Sequence, residues 1–172
     1  MSKSNQLEEI TLQQLPEGQP LPMDLLLMAD PNEEQVLSYI EHCIVVIAIL
    51  NKKIIGVMAM SPETKEKAEI RNIAISPAYR GKGFARKLLQ DAFDRATRLG
   101  YSLVQVCTGN SSIRQFKVYQ QFGFELTDIR WNYFTEHYPE PILEDGIRCR
   151  HQLVLSHFLT PNDSRELRPL KT

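Results

Sequence analysis

The sequence predicts a single α/β domain organised around a parallel βαβ unit, and three observations point there. Residues 68–76, 83–99 and 101–108 read as strand, helix and strand, an order that makes the two strands parallel neighbours joined by a helical crossover. Residues 43–50 (CIVVIAIL) and 53–60 are two more strand patterns joined at Asn51-Lys52, which reads as a hairpin. The chain has 172 residues, 42% of them hydrophobic and 24% charged, enough for one domain with a substantial core.

The elements follow in order. Residues 7–15 alternate as a strand until Pro16 and Pro20 interrupt the pattern. Residues 23–29 form a short apolar helix. Asp30-Pro31 ends it, and Asn32 is placed to cap a second helix over residues 33–42. The hairpin strands come next, then a polar turn at 61–67 and the strand at 68–76. Helix 83–99 has the clearest periodicity, with Ala85, Leu88, Leu89, Ala92, Ala96 and Leu99 on one face and Gly100 as its stop. After the strand at 101–108, residues 111–122 form a helix with Ile113, Phe116, Tyr119 and Phe122 near one face, closed by Gly123. Strands are expected at 124–134 and 147–158, separated by an aromatic and acidic connection. Residues 1–159 thus make one domain, and residues 160–172, with two prolines and few apolar side chains, a tail.

Composition excludes several classes of function. The net charge of −1 supplies no field for nucleic acid or an anionic membrane. The longest apolar run, 43–50, is too short to span a bilayer, and the N-terminus has no apolar leader core, so a cytoplasmic location is expected. Cys43, Cys107 and Cys149 lie far apart and are odd in number, which suits reduced, mostly buried thiols. The histidines (42, 137, 151, 157) show no metal-ligand spacing, and no metal is expected.

The chemistry centres on Arg80-Gly81-Lys82-Gly83-Phe84-Ala85-Arg86, between the strand and the helix of the βαβ unit. Bare N–H groups at a helix N-terminus, beside two residues without Cβ, form a site for a phosphate. The segment lacks the P-loop pattern. A dinucleotide fingerprint fails at its third glycine, where Arg86 stands. It does fit the pattern R/Q-x-x-G-x-G/A position by position. With the preceding strand EIRNIAISP and the later Tyr119-x-x-x-Gly123-Phe124, it resembles the GNAT-type N-acetyltransferases over residues 53–126.

That resemblance implies a mixed, mostly antiparallel sheet with helices on both faces, and acetyl-CoA as co-substrate. It implies that residues 80–86 hold the pyrophosphate, with Lys87 close enough to reach other phosphates. Backbone N–H groups at Ile73, Ala74 and Ile75 would face the thioester and its pantetheine arm. Tyr119 matches the family's general acid, although its stripe position also suits a core tyrosine. Glu69 lies where some members carry a catalytic glutamate, and it suits equally well a strand residue paired with Lys67 or Arg71. Members often carry an Asn seven residues before the tyrosine. Here that place is Ser112, and Asn110, Ser111 or Ser112 would share its contact.

The family holds its acceptor with the first helices and the last connection, here 23–42 and 131–146. Trp131, Tyr133, Phe134, His137 and Tyr138 with Glu136, Glu140, Glu144 and Asp145 suit an amine through cation–π and ionic contacts, and suit equally a surface loop or a homodimer contact. The expected activity is direct acetyl transfer to a primary amine of a small molecule, since no cysteine has a base beside it. Acetylation of a protein N-terminus or lysine, and a non-catalytic acyl-CoA-binding module, are the alternatives.

Overall fold

A computed structural model describes residues 9–160. Leu7 and Glu8 of the expected first strand and residues 161–172 of the expected tail lie outside the described residues. The elements are β1 (Thr11–Gln14), α1 (Met23–Ala29), α2 (Glu33–Ile40), β2 (Ile44–Leu50), β3 (Lys53–Pro62), β4 (Lys67–Ile75), a 3₁₀ turn (Pro77–Tyr79), α3 (Phe84–Arg98), β5 (Leu103–Gly109), α4 (Ile113–Phe122), β6 (Glu125–Arg130), α5 (Tyr133–His137), β7 (Ile142–Glu144), β8 (Ile147–Cys149) and β9 (Gln152–Phe158).

Seven strands form one sheet in the order β1-β2-β3-β4-β5-β9-β6. Among the described residues only β4 and β5 run parallel; the other neighbours are antiparallel. Asn51 and Lys52 both take positive φ, 49° and 65°, which matches the twist a two-residue hairpin between β2 and β3 requires. The Asn32 side chain accepts from Gln35 N–H at 3.1 Å and starts α2 as its sequence predicts.

The sheet has a core on each face. On one side α1 and α2 bury Leu25, Leu26, Val36 and Ile40 against Val45, Ile47, Val57, Ala59 and Ala74. On the other, α3 buries Leu88, Leu89, Ala92 and Ala96, and Tyr119 of α4 joins the same core. Phe93 stacks on His157 at 4.4 Å between ring centres. Leu99, expected on the apolar stripe of α3, is the C-cap and is exposed.

Two expected strands are shorter than predicted. The strand over 124–134 stops at Arg130, because Asn132 takes φ 57° and opens α5. The strand over 147–158 breaks at Arg150 and His151, whose N–H groups both turn to Asn110 Oδ1, at 2.7 and 2.8 Å. The intervening β7–β8 hairpin closes around Asp145-Gly146, φ 49° and 78°. Among the described residues no helix is long and apolar enough to cross a membrane.

Candidate active site

The site begins where β4 and β5 part. Their parallel pairing ends at Ile70–Val106, yet β4 runs on to Ile75 and β5 to Gly109. On its other edge β4 stays paired with β3, with a register shift in which Ala59 opposes Asn72 and Met60 opposes Ile70, leaving Arg71 as an extra residue. Such a bulge adds local twist and re-aims side chains. Before it, Ala68 and Ile70 face the α3 core; after it, Ile73 and Ile75 do. Alternation thus turns Glu69 and Arg71 toward α1 and α2, and the bulge keeps Asn72 on that same side.

The opening exposes backbone. Ser76 N–H donates to Ile55 O at 2.8 Å, so by two-residue alternation Ala74 N–H also points into the β3–β4 ladder. The N–H groups of Ile73 and Ile75 point to the side that β5 has left. Of the three backbone donors the sequence nominates, two thus face the split and Ala74 does not.

The anion cradle follows at the end of β4. Gly81 and Gly83 take φ 75° and 80°, and a Cβ on either would meet no atom within 4 Å. Their role is therefore conformational, and the space before them is open. Lys87 N–H makes the first helical bond, to Gly83 O, so Phe84 and Ala85 direct their N–H groups out of the helix end. The Phe84 side chain is buried and anchors α3 in the core, leaving only its backbone for a ligand. Arg80 Nε donates to Ile75 O at 3.0 Å and ties the cradle to the strand end. Lys82 lies over the Tyr79 ring, and Arg86 over the Phe122 ring. Donors at a helix end, glycines at positive φ and nearby cations fit a pyrophosphate.

Glu69 is buried, accepts from Gln105 Nε2 at 3.0 Å, and lies 3.7 Å from Arg71 Nη1. Burial raises its carboxyl pKa above the ordinary carboxylate value, with Arg71 opposing. Glu69 lines a polar cavity of about 90 Å³ with Asp30, Gln35, Tyr39, Arg71, Cys107, Arg130, Tyr133, Tyr138 and Gln152. Tyr119 is buried in the α3-side core, where burial, then the neighbouring Cys107, push its phenol up and keep it protonated. Glu69 and Tyr119 therefore stand on opposite faces of the sheet, with Cys107 influencing both. The Cys107 thiol is itself pushed up to about 12 by burial and the Glu69 charge.

The remaining expected site residues are placed differently. Asn110 accepts from Arg150 and His151 N–H and donates to Arg148 O. Ser111 and Ser112 hydroxyls both donate to Glu144, at 2.6 and 2.7 Å. These side chains pin the β7–β8 hairpin to the corner between β5 and α4. Trp131 is exposed and meets His151 edge-on, away from the cavity. Tyr133 and Tyr138 do reach it, and Tyr138 OH donates to Asp30 at 3.4 Å. Of the cavity residues, Asp30 and Tyr39 fall within the segment 23–42 that the sequence nominates for the acceptor, although neither is singled out there, and Arg71 and Arg130 were missed. Separate elements supply them: alternation along β4 puts Arg71 on the face of Glu69, and the bulge keeps Asn72 there as well.

Comparison with known proteins agrees with this geometry. The Acetyltransferase (GNAT) family matches residues 5–124. The uncharacterized N-acetyltransferase YvbK of Bacillus subtilis is 38% identical over 132 residues, 77% of this chain and 85% of that one. The [Ribosomal protein bS18]-alanine N-acetyltransferase of Haemophilus influenzae is 34% identical over 93 residues, 54% of this chain and 60% of that one. A crystal structure of a GNAT family acetyltransferase from Elizabethkingia anophelis, with acetyl-CoA bound, superimposes with a TM-score of 0.85 at 39% identity, covering 87% of this chain and 98% of that one. The chain belongs to the GNAT acetyltransferase family. It is an acyltransferase, with acetyl-CoA as co-substrate.

Proposed function

We propose that this enzyme transfers the acetyl group of acetyl-CoA directly to the primary amine of a small molecule. The observation that carries the reading is the small polar cavity at the parting of β4 and β5, with Glu69 in its wall. Glu69, whose carboxyl pKa burial raises above the ordinary carboxylate value, takes the amine proton directly or through a water. The freed nitrogen forms the C–N bond at the thioester carbonyl. The outward N–H groups of β4 support the negative charge on oxygen. As the C–S bond breaks, the nitrogen releases its second proton to solvent, Tyr119 gives its proton to the thiolate and recovers one from solvent, and Glu69 returns the first proton to solvent. Direct transfer is supported by the cysteines: burial pushes Cys43 up to about 11 and Cys107 to about 12, so neither is a thiolate near neutral pH. Three unpaired thiols suit a reducing, cytoplasmic compartment.

A second reading, acetylation of a peptide N-terminus, has its own support. An outer groove of about 380 Å³ carries Glu33, Glu34 and Glu140 beside Tyr138, a surface suited to a basic peptide. The bS18-alanine enzyme is also among the relatives.

Thiol release from acetyl-CoA, followed with a panel of small amines and short basic peptides, separates the two readings. Tyr119→Phe should lower turnover by about 10²-fold or more while acetyl-CoA affinity holds. Turnover unchanged in that variant removes Tyr119 from the chemistry.

A further inference from the structure

The cavity walls carry opposite charges in equal number: Asp30 and Glu69 against Arg71 and Arg130. The two arginines are not equivalent. Arg71 already faces Glu63 at 3.3 Å and Glu69 at 3.7 Å, and lies 5.0 Å over the Tyr39 ring. Arg130 donates Nη1 to Gln152 Oε1 at 2.8 Å and has no carboxylate partner among the described residues. Arg130 and Gln152 are direct cross-strand partners on β6 and β9, so this bond holds the guanidinium at the cavity mouth. Five N–H donors belong to a guanidinium, and Gln152 occupies one. Arg130 lines the same cavity as Glu69 and Cys107.

We infer that the acceptor is a zwitterion of the amino-acid kind, whose ammonium enters between Glu69 and Asp30 and whose carboxylate is held by Arg130. The inference rests on the acetyl-transfer reading. A carboxylate completes the donors of a planar guanidinium in a way that an uncharged group does not. A cavity of about 90 Å³ holds roughly three waters, enough for an ammonium and an adjacent carboxylate while the rest of the molecule points outward. A polyamine would bring unpaired positive charge against both arginines. A peptide N-terminus would leave Arg130 facing a neutral amide.

The test measures kcat/KM by thiol release, using the free amino acids, their carboxamides and the matching decarboxylated amines. The wild-type enzyme should favour a free acid over its amide by about 10- to 100-fold, the range for a charged hydrogen-bonded contact. Arg130→Gln should bring that ratio toward one, mainly through KM, and Arg130→Lys should restore part of it. A wild-type enzyme that turns over amides and acids equally overturns the inference, as does a ratio that survives Arg130→Gln. Calorimetry with acetyl-CoA separates the two levels. Saturable binding without turnover of any free amino acid overturns this inference alone, whereas no binding by the folded protein overturns the acetyl-transfer reading too.

Discussion

Gly83 offers the sharpest test of the cradle. It caps α3 at φ 80°, ψ 6°, and a Cβ there would meet nothing within 4 Å. In Gly83→Ala no clash contributes, so the whole effect is conformational: about 1–2 kcal/mol for an L-residue held in the left-handed region. That strain has two outlets. If the loop keeps its shape, folding stability falls by this amount, and Tm drops by about 2–8 °C for a chain of this size. If the loop relaxes to negative φ, the Phe84 and Ala85 N–H groups turn away from the cradle and acetyl-CoA affinity falls about 5- to 30-fold. The strain divides between the two, so the losses in folding and binding free energy should together come to about 1–2 kcal/mol. Thermal denaturation and calorimetric titration of the same preparation measure both. A Gly83→Ala protein with wild-type Tm and wild-type affinity would refute the argument.

Two further substitutions test the groups around the split. Because burial raises the Glu69 carboxyl pKa in the folded protein, the folded state holds that proton more tightly than the unfolded chain does. This group's contribution to stability is therefore greatest at low pH and declines as pH rises through its folded value. Glu69→Gln should flatten that part of the Tm–pH curve and lower turnover by about 10²-fold or more, and a Tm–pH curve of unchanged shape would show that Glu69 titrates normally. Asn110→Ala removes the acceptor for Arg150 and His151 N–H and should cost about 1–2 kcal/mol of stability. Hydrogen exchange should rise at those two amides and in β8; wild-type protection there would show that Asn110 does not hold the break between β8 and β9.

Local signals served well where the physics is local. The period of α3, the Asn32 cap and the Asn51-Lys52 turn each depend on residues within a few positions, and the structure shows all three. The shape of the turn at 80–86 was equally legible, because positive φ at Gly81 and Gly83 and outward N–H groups at a helix end are properties of the backbone. Asn110 and Ser112 were harder. A polar side chain seven or nine residues before Tyr119 suits a ligand contact, but the β7–β8 hairpin returns from 32 to 41 residues away in sequence and takes those hydrogen bonds first. Nothing near Asn110 signals that return.

The chain's pattern of apolar periods, glycines and helix boundaries was sufficient to specify the strand–turn–helix and the open helix start at its turn, since these follow from conformational preferences of neighbouring residues. The polar cavity needed the folded molecule. Asp30 follows α1, Glu69 and Arg71 alternate along one face of β4, and Arg130 ends β6, so the cavity residues come from separate elements. Whether a charged side chain faces solvent, a partner or a cavity depends on which strands pair and where their pairing stops. That balance is struck across the whole sheet, between groups far apart in the chain.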